Sequence, residues 1–201
     1  MTDAMDLETF DWYFQQNNRA ALEKYASAWP RVEGHYPIGW CFPFFAPNRF
    51  LSRVIFSKLF MSSGTDAILD FGCYDGLLIR AFLDQGREAF GYESFPCMPA
   101  FEALGIADRI NVRHYCPIVI AFGMAQEYSF ENLLAKIEEE NAGLPDVLYF
   151  DRELTRRTIH NKTYFDTNFL LSQGITVVKF PNCVSEHSQA DMLIWRKSAA
   201  D

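Results

Sequence analysis

The sequence predicts an α/β fold: a doubly wound, mostly parallel sheet with a C-terminal antiparallel strand, plus an N-terminal helical and aromatic cover. Three observations predict it. From Ala67 onward, short apolar runs alternate with helix-patterned stretches, as βαβ units require. The run from Ala67 to Gly76 passes from an apolar strand into a glycine-bearing turn that opens a helix, and Phe90-Gly-Tyr-Glu93 closes the next strand on an acid. Only Pro181 to Ala190 separates the last two strands. A crossover between parallel strands needs about a dozen residues or more, so the final strand is expected to run antiparallel to its predecessor.

The elements follow in order. Leu7 to Ser27 reads as one or two amphipathic helices, with Phe10, Phe14, Ala21, Leu22 and Tyr25 near helical spacing, and Pro30 closes the region. Tyr36–Pro47 holds three prolines and five aromatics, which neither a helix nor a central strand tolerates. It is expected to be irregular, as a lid over a bound molecule or as packing between the first helices and the sheet. A helix from Asn48 to Met61 leads into the core. Strand one is Ala67–Phe71, and its helix covers Leu77–Asp84 before Gly86. Strand two is Glu88–Glu93, followed by a helix near Pro99–Leu104, and strand three is Ile110–Tyr115. A helix from Phe130 to Asn141 carries Leu133, Leu134 and Ile137 on one face. Strand four is Val147–Asp151, the next helix Thr155–Ser172, strand five Ile175–Phe180 and the last strand Asp191–Lys197. With no internal repeat, residues 1–60 form a cover belonging to the same domain as the core of residues 61–201.

Composition narrows the function classes. The 201 residues suffice for one α/β domain, and 49% hydrophobic with 22% charged content describes a globular chain. Aromatics make up 16%, including 19 Phe, enough for some to line a cavity. A net charge of −8 disfavours nucleic acid, whose phosphates need clustered Lys and Arg. The five cysteines (Cys41, Cys73, Cys97, Cys116 and Cys183) form no Cys-x-x-Cys, and the histidines are scattered, so no metal site is expected. The odd count, with no signal-peptide pattern, reads as reduced thiols in the cytoplasm. Apolar stretches are too short and interrupted for a membrane span.

The turn after strand one points to a nucleoside ligand at the carboxyl edge of the sheet. Gly72-Cys-Tyr-Asp-Gly76 lacks the three glycines that bring backbone against a pyrophosphate. Asp70 adds a carboxylate at the strand tip, which would repel a dinucleotide's pyrophosphate but tolerate a zwitterionic amino acid. Glu93 is suited to accept hydrogen bonds from both hydroxyls of a ribose. A plain strand-to-helix turn and an NAD site are the competing readings.

On these residues the sequence resembles the class I S-adenosylmethionine-dependent methyltransferases. Asp70, Gly72 and Gly76 match the family's acidic-x-Gly-x-Gly-x-Gly motif, with Tyr74 in place of the central glycine, and Glu93 matches its ribose-binding acid. The resemblance covers roughly residues 50–197 and implies S-adenosylmethionine as cofactor, held by Asp70, Gly72, Cys73, Tyr74, Gly76 and Glu93. His114, near the expected tip of strand three, is a further candidate for facing it. The adenine-holding acid or amide that the family places after strand three has no counterpart near Val112–Pro117.

Methyl transfer from a sulfonium asks mainly for in-line alignment and exclusion of water, with a base only where the acceptor must lose a proton. Asp151, followed by Arg152 and Glu153, falls where the family places acceptor-facing residues; capping the next helix is the structural alternative. Lys179 ends strand five on the same edge. The two are the candidate catalytic residues, for a small or medium-sized acceptor bound under the aromatic cover. Lys58, Asp151, Lys179 and Asp191 also resemble the Lys-Asp-Lys-Glu set of FtsJ-type RNA ribose 2′-O-methyltransferases, with Asp191 in place of Glu. A non-catalytic S-adenosylmethionine-binding partner protein is the third reading. His160 stands alone.

Overall fold

The computed structural model describes residues 65–198 apart from 75, 95, 97, 123–127, 154–166, 186 and 187. The amphipathic helices expected over Leu7–Ser27, the segment Tyr36–Pro47, the helix Asn48 to Met61, Lys58 and His160 lie outside the described residues.

Among the described residues six strands form one sheet: β1 (Ile68–Phe71), β2 (Ala89–Tyr92), β3 (Ile118–Ala121), β4 (Val147–Glu153), β5 (Thr176–Ser185) and β6 (Ser188–Arg196), in the order β2-β1-β3-β4-β6-β5. β1 pairs in parallel with β2 and β3, and β3 in parallel with β4. β6 is antiparallel to both β4 and β5, so among the described strands it is the reversed one and lies between two that share a direction. The antiparallel C-terminal strand is as expected. The connection it follows is shorter than expected, because β5 continues to Ser185 and β6 begins at Ser188, with a register shift between Phe180 and Ser185. Pro181 lies in that interval, where a missing N–H removes a ladder donor.

Among the described residues four α-helices accompany the strands: α1 (Leu77–Leu83), α2 (Met98–Leu104), α3 (Phe130–Glu140) and α4 (Thr167–Ser172). α3 illustrates why its sequence is helical. Ser129 caps it, its hydroxyl accepting from the Asn132 N–H at 3.3 Å. Phe130, Leu133 and Ile137 recur at i, i+3 and i+7 and are buried, each burial contributing roughly 1.5–3 kcal/mol. They pack with Leu69, Phe71, Val119, Ala121, Leu148, Phe150 and Leu193 on one face of the sheet. The four residues of β1 and of β3 are buried throughout, as strands covered on both faces must be.

One expected strand is misplaced. Ile110–Tyr115 is not a strand; only Ile110 bridges, in parallel, to Gly91. The third strand is Ile118–Ala121. Ile110–Tyr115 alternates apolar with polar residues, and positions 111–115 are exposed. A central parallel strand needs an unbroken apolar run, which Ile118-Val-Ile-Ala121 supplies. Two asparagines fasten the intervening segment in place of a ladder. Asn111 bonds to Glu93, and buried Asn141 accepts from the Cys116 N–H (2.9 Å) while its amide donates to the Cys116 carbonyl (3.0 Å).

Candidate functional site

The strand order sets the site's place. The chain leaves β1 for β2 on one side and later returns to β3 on the other, so the connections diverge between the tips of β1 and β3. Such a switch point opens a crevice at the carboxyl edge of an open α/β sheet. Asp70, the penultimate residue of β1, is 5% exposed, and Glu93, just past β2, is 9% exposed. Two carboxylates so deeply placed at one sheet edge are the site's main electrostatic feature.

The turn between β1 and α1 is built by left-handed residues. Gly72 (φ +79°), Tyr74 (+59°) and Gly76 (+74°) all have positive φ. Tyr74 therefore stands in the conformation that favours glycine, at a cost of about 1–2 kcal/mol. Its backbone shows what offsets that cost: the Tyr74 N–H donates to Glu93 Oε2 at 2.9 Å. The Gly72 and Cys73 N–H groups both donate to the Tyr92 carbonyl, at 2.8 and 3.0 Å. The turn thus folds onto the end of β2, and the Glu93 carboxylate sits against it.

Glycine is needed at Gly91 for a different reason. A Cβ there would lie 2.4 Å from Ile79 Cδ1 and 2.8 Å from both Cys73 Sγ and Ile110 Cδ1. The missing side chain lets the first helix, the turn and the Ile110 segment converge behind Glu93. Buried Cys73 belongs to this packing.

Asn111 is the residue that sequence reading missed. Its Oδ1 accepts from the Glu93 N–H at 2.9 Å, its Nδ2 donates to the Glu93 carbonyl at 3.0 Å, and its own N–H donates to the Gly91 carbonyl at 2.7 Å. Its φ of +57° is one that asparagine tolerates better than most residues. The only advance signal was an asparagine in a polar stretch after Ile110.

The remaining candidates fall elsewhere. His114 is not at a strand tip: with strand three relocated, it lies in the exposed return segment, stacked on Phe90 in the middle of β2 with ring centroids 4.4 Å apart. Asp151 pairs in register with Met192, Lys179 with Asp191, and Asp191 with Arg152 on its other side. Adjacent register rows on β4, β6 and β5 therefore carry Asp151, Asp191 and Lys179. Among the described residues no group of three or more His, Cys, Asp or Glu could hold a metal ion. No helix among them is long and apolar enough to cross a membrane.

Among the described residues, five strands run in one direction and a reversed strand is inserted next to last, a sheet of the kind found in solved methyltransferase structures. Two solved structures are similar to this chain over nearly its whole length. One, provisionally described as an RNA methyltransferase, is PH1948 from Pyrococcus horikoshii: TM-score 0.54, 16% identity, covering 89% of this chain and 97% of that one. The other is the N-terminal domain of EvdMO1 with SAH bound: TM-score 0.52, 14% identity, covering 91% of this chain and 98% of that one. Neither a protein-family model nor a curated protein matches the sequence, so the likeness lies in the fold.

Proposed function

We propose that this protein is an S-adenosylmethionine-dependent methyltransferase acting on a small or medium-sized acceptor. One observation carries the reading: the Glu93 carboxylate, at the tip of β2, is gathered by the Tyr74 N–H onto the turn that opens the switch-point crevice. A carboxylate has two oxygens and about four acceptor positions, and a vicinal diol donates to two of them. The acids also fit the cofactor's charge. S-adenosylmethionine carries a sulfonium and an ammonium against one carboxylate, and Asp70 and Glu93 favour such a cation while repelling a pyrophosphate.

When bound, the cofactor supplies an already activated methyl group. The chain's task is then to bind, align and exclude water. In this reading Gly72, Cys73, Tyr74 and Gly76 form the backbone cradle, Asp70 faces the amino-acid end, and Glu93 holds the ribose. His114, stacked beside the middle of β2, is left out of that set. Asp151 and Lys179 are assigned to the acceptor side, and residues 1–60, with the aromatic Tyr36–Pro47 segment, to a cover over it. A cytoplasmic setting accords with buried Cys73 and Cys116, neither of which is in a disulfide.

Calorimetry with S-adenosylmethionine and S-adenosylhomocysteine tests the reading. Glu93→Ala removes charge-assisted hydrogen bonds of about 1.5–3 kcal/mol, so affinity should fall about 10- to 100-fold. Wild-type protein that binds neither compound ends the methyltransferase reading.

A second reading, RNA ribose methylation, draws on the register that sets Lys179 opposite Asp191, with Asp151 one row away. The net charge of −8 weighs against it.

A further inference from the structure

We infer that Asn111 is a positioning residue for cofactor binding: its side chain does the work of a missing sheet strand, fixing Glu93 where its carboxylate can read the ribose hydroxyls. The inference rests on the methyltransferase reading and assigns a role to a residue outside the glycine turn.

The argument begins with β2. Among the described strands it has one neighbour, β1. A strand end paired on one side frays easily, because its outer N–H and C=O groups gain no cooperative ladder. Glu93 is the first residue beyond β2, so its placement depends on what holds that end. The inner side is held by the turn, through the two N–H groups that donate to the Tyr92 carbonyl. On the other side the Asn111 side chain acts. Asn111 accepts from the Glu93 N–H and donates to the Glu93 carbonyl, at 2.9 and 3.0 Å, as a paired strand would.

Two further features make this a built arrangement. The Ile110–Gly91 bridge and the Asn111 N–H to the Gly91 carbonyl, at 2.7 Å, set Asn111 in strand register for one step only. The left-handed φ of +57° then turns the chain away while the side chain stays with Glu93. Glu93 is consequently fixed at its backbone by Asn111 and at its carboxylate by Tyr74. A carboxylate held this way meets a diol without losing further side-chain freedom, which is how preorganisation raises affinity.

The test compares S-adenosylhomocysteine with its 2′-deoxy form by calorimetry. Wild-type protein should prefer the hydroxylated compound by about tenfold, the value of one hydrogen bond to a charged group. In Asn111→Gly, which keeps the positive φ and removes only the clamp, that preference should fall to about two- or threefold. A merely structural role would weaken both compounds equally and leave the ratio unchanged, which would overturn the inference. Asn111→Asp provides a second variant: it can accept from the Glu93 N–H but, ionised, cannot donate to the carbonyl. Its ratio should also drop, and a wild-type ratio in either folded variant counts against the proposal. Wild-type protein that binds neither compound overturns the cofactor reading and the inference together, whereas wild-type protein that binds both with no preference overturns the inference alone. A loss confined to the variants' ratio separates the two.

Discussion

Three residues near the turn show how local geometry limits substitution. Tyr74 at φ +59° is held by its N–H bond to Glu93. Glycine takes that conformation without strain, whereas a β-branched residue there is an outlier. Thermal unfolding should therefore show Tyr74→Val destabilised by about 1–3 kcal/mol relative to Tyr74→Gly. Tyr74→Gly should bind S-adenosylhomocysteine within about twofold of wild type, because the N–H to Glu93 persists. Gly91→Ala inserts a methyl among Ile79, Cys73 and Ile110, all within 2.8 Å of it. Overpacking costs about 1–3 kcal/mol, read by urea unfolding, and ligand affinity should fall with it because Cys73 is part of the turn. Cys116 is fully buried, and burial, then the nearby Glu88, pushes its thiol up to about 12. Its proton is held more tightly folded than unfolded, where the usual value is 9.0. Above about pH 9 the unfolded chain binds fewer protons, so stability should decline as pH rises from 9 toward 12. In Cys116→Ala that part of the decline should vanish from unfolding curves recorded across the window.

At the scale of elements, what was legible was what a run of side chains encodes locally. The apolar runs at Ile68 and Val147 and the 3.6-residue spacing in α3 located strands and helix to within a residue or two, and the acids at Asp70 and Glu93 marked the carboxyl edge. Strand three was misread because Ile110–Tyr115 has the alternation of a half-exposed strand, whereas Ile118–Ala121 is buried on both faces and shows none. The Asn111 clamp was illegible for another reason. It joins residues 18 apart through a side chain copying backbone pairing, and no periodicity announces that. Ser129 offers the matching test of a local signal. Ser129→Ala should cost about 1 kcal/mol in unfolding free energy by removing the α3 cap. The ion pairs of Lys136 with Glu139 and Glu140, at the half-exposed surface of the same helix, should contribute less to stability.

For the whole molecule, charge bears most directly on the acceptor. With 26 acidic against 18 basic side chains, a single-stranded RNA oligonucleotide should show no saturable binding by fluorescence anisotropy at 0.15 M salt. Tight, salt-sensitive binding that weakens in Lys179→Ala would favour the RNA reading instead. In the proposed reading Glu93 and Asp70 act on the cofactor at short range, so S-adenosylhomocysteine affinity should change little over the same salt range.

The place of β6 has a consequence for how the protein comes into being. The strand that joins β4 to β5 emerges from the ribosome after both of them. Until it arrives, β5 has no partner among the described strands and β4 presents an open edge, in a nascent chain whose glycine turn and acid-tipped edge are already made. The half of the sheet that carries the proposed cofactor edge can assemble early, while the half that carries Asp151 and Lys179 must wait, exposed to mispairing and to chaperone capture.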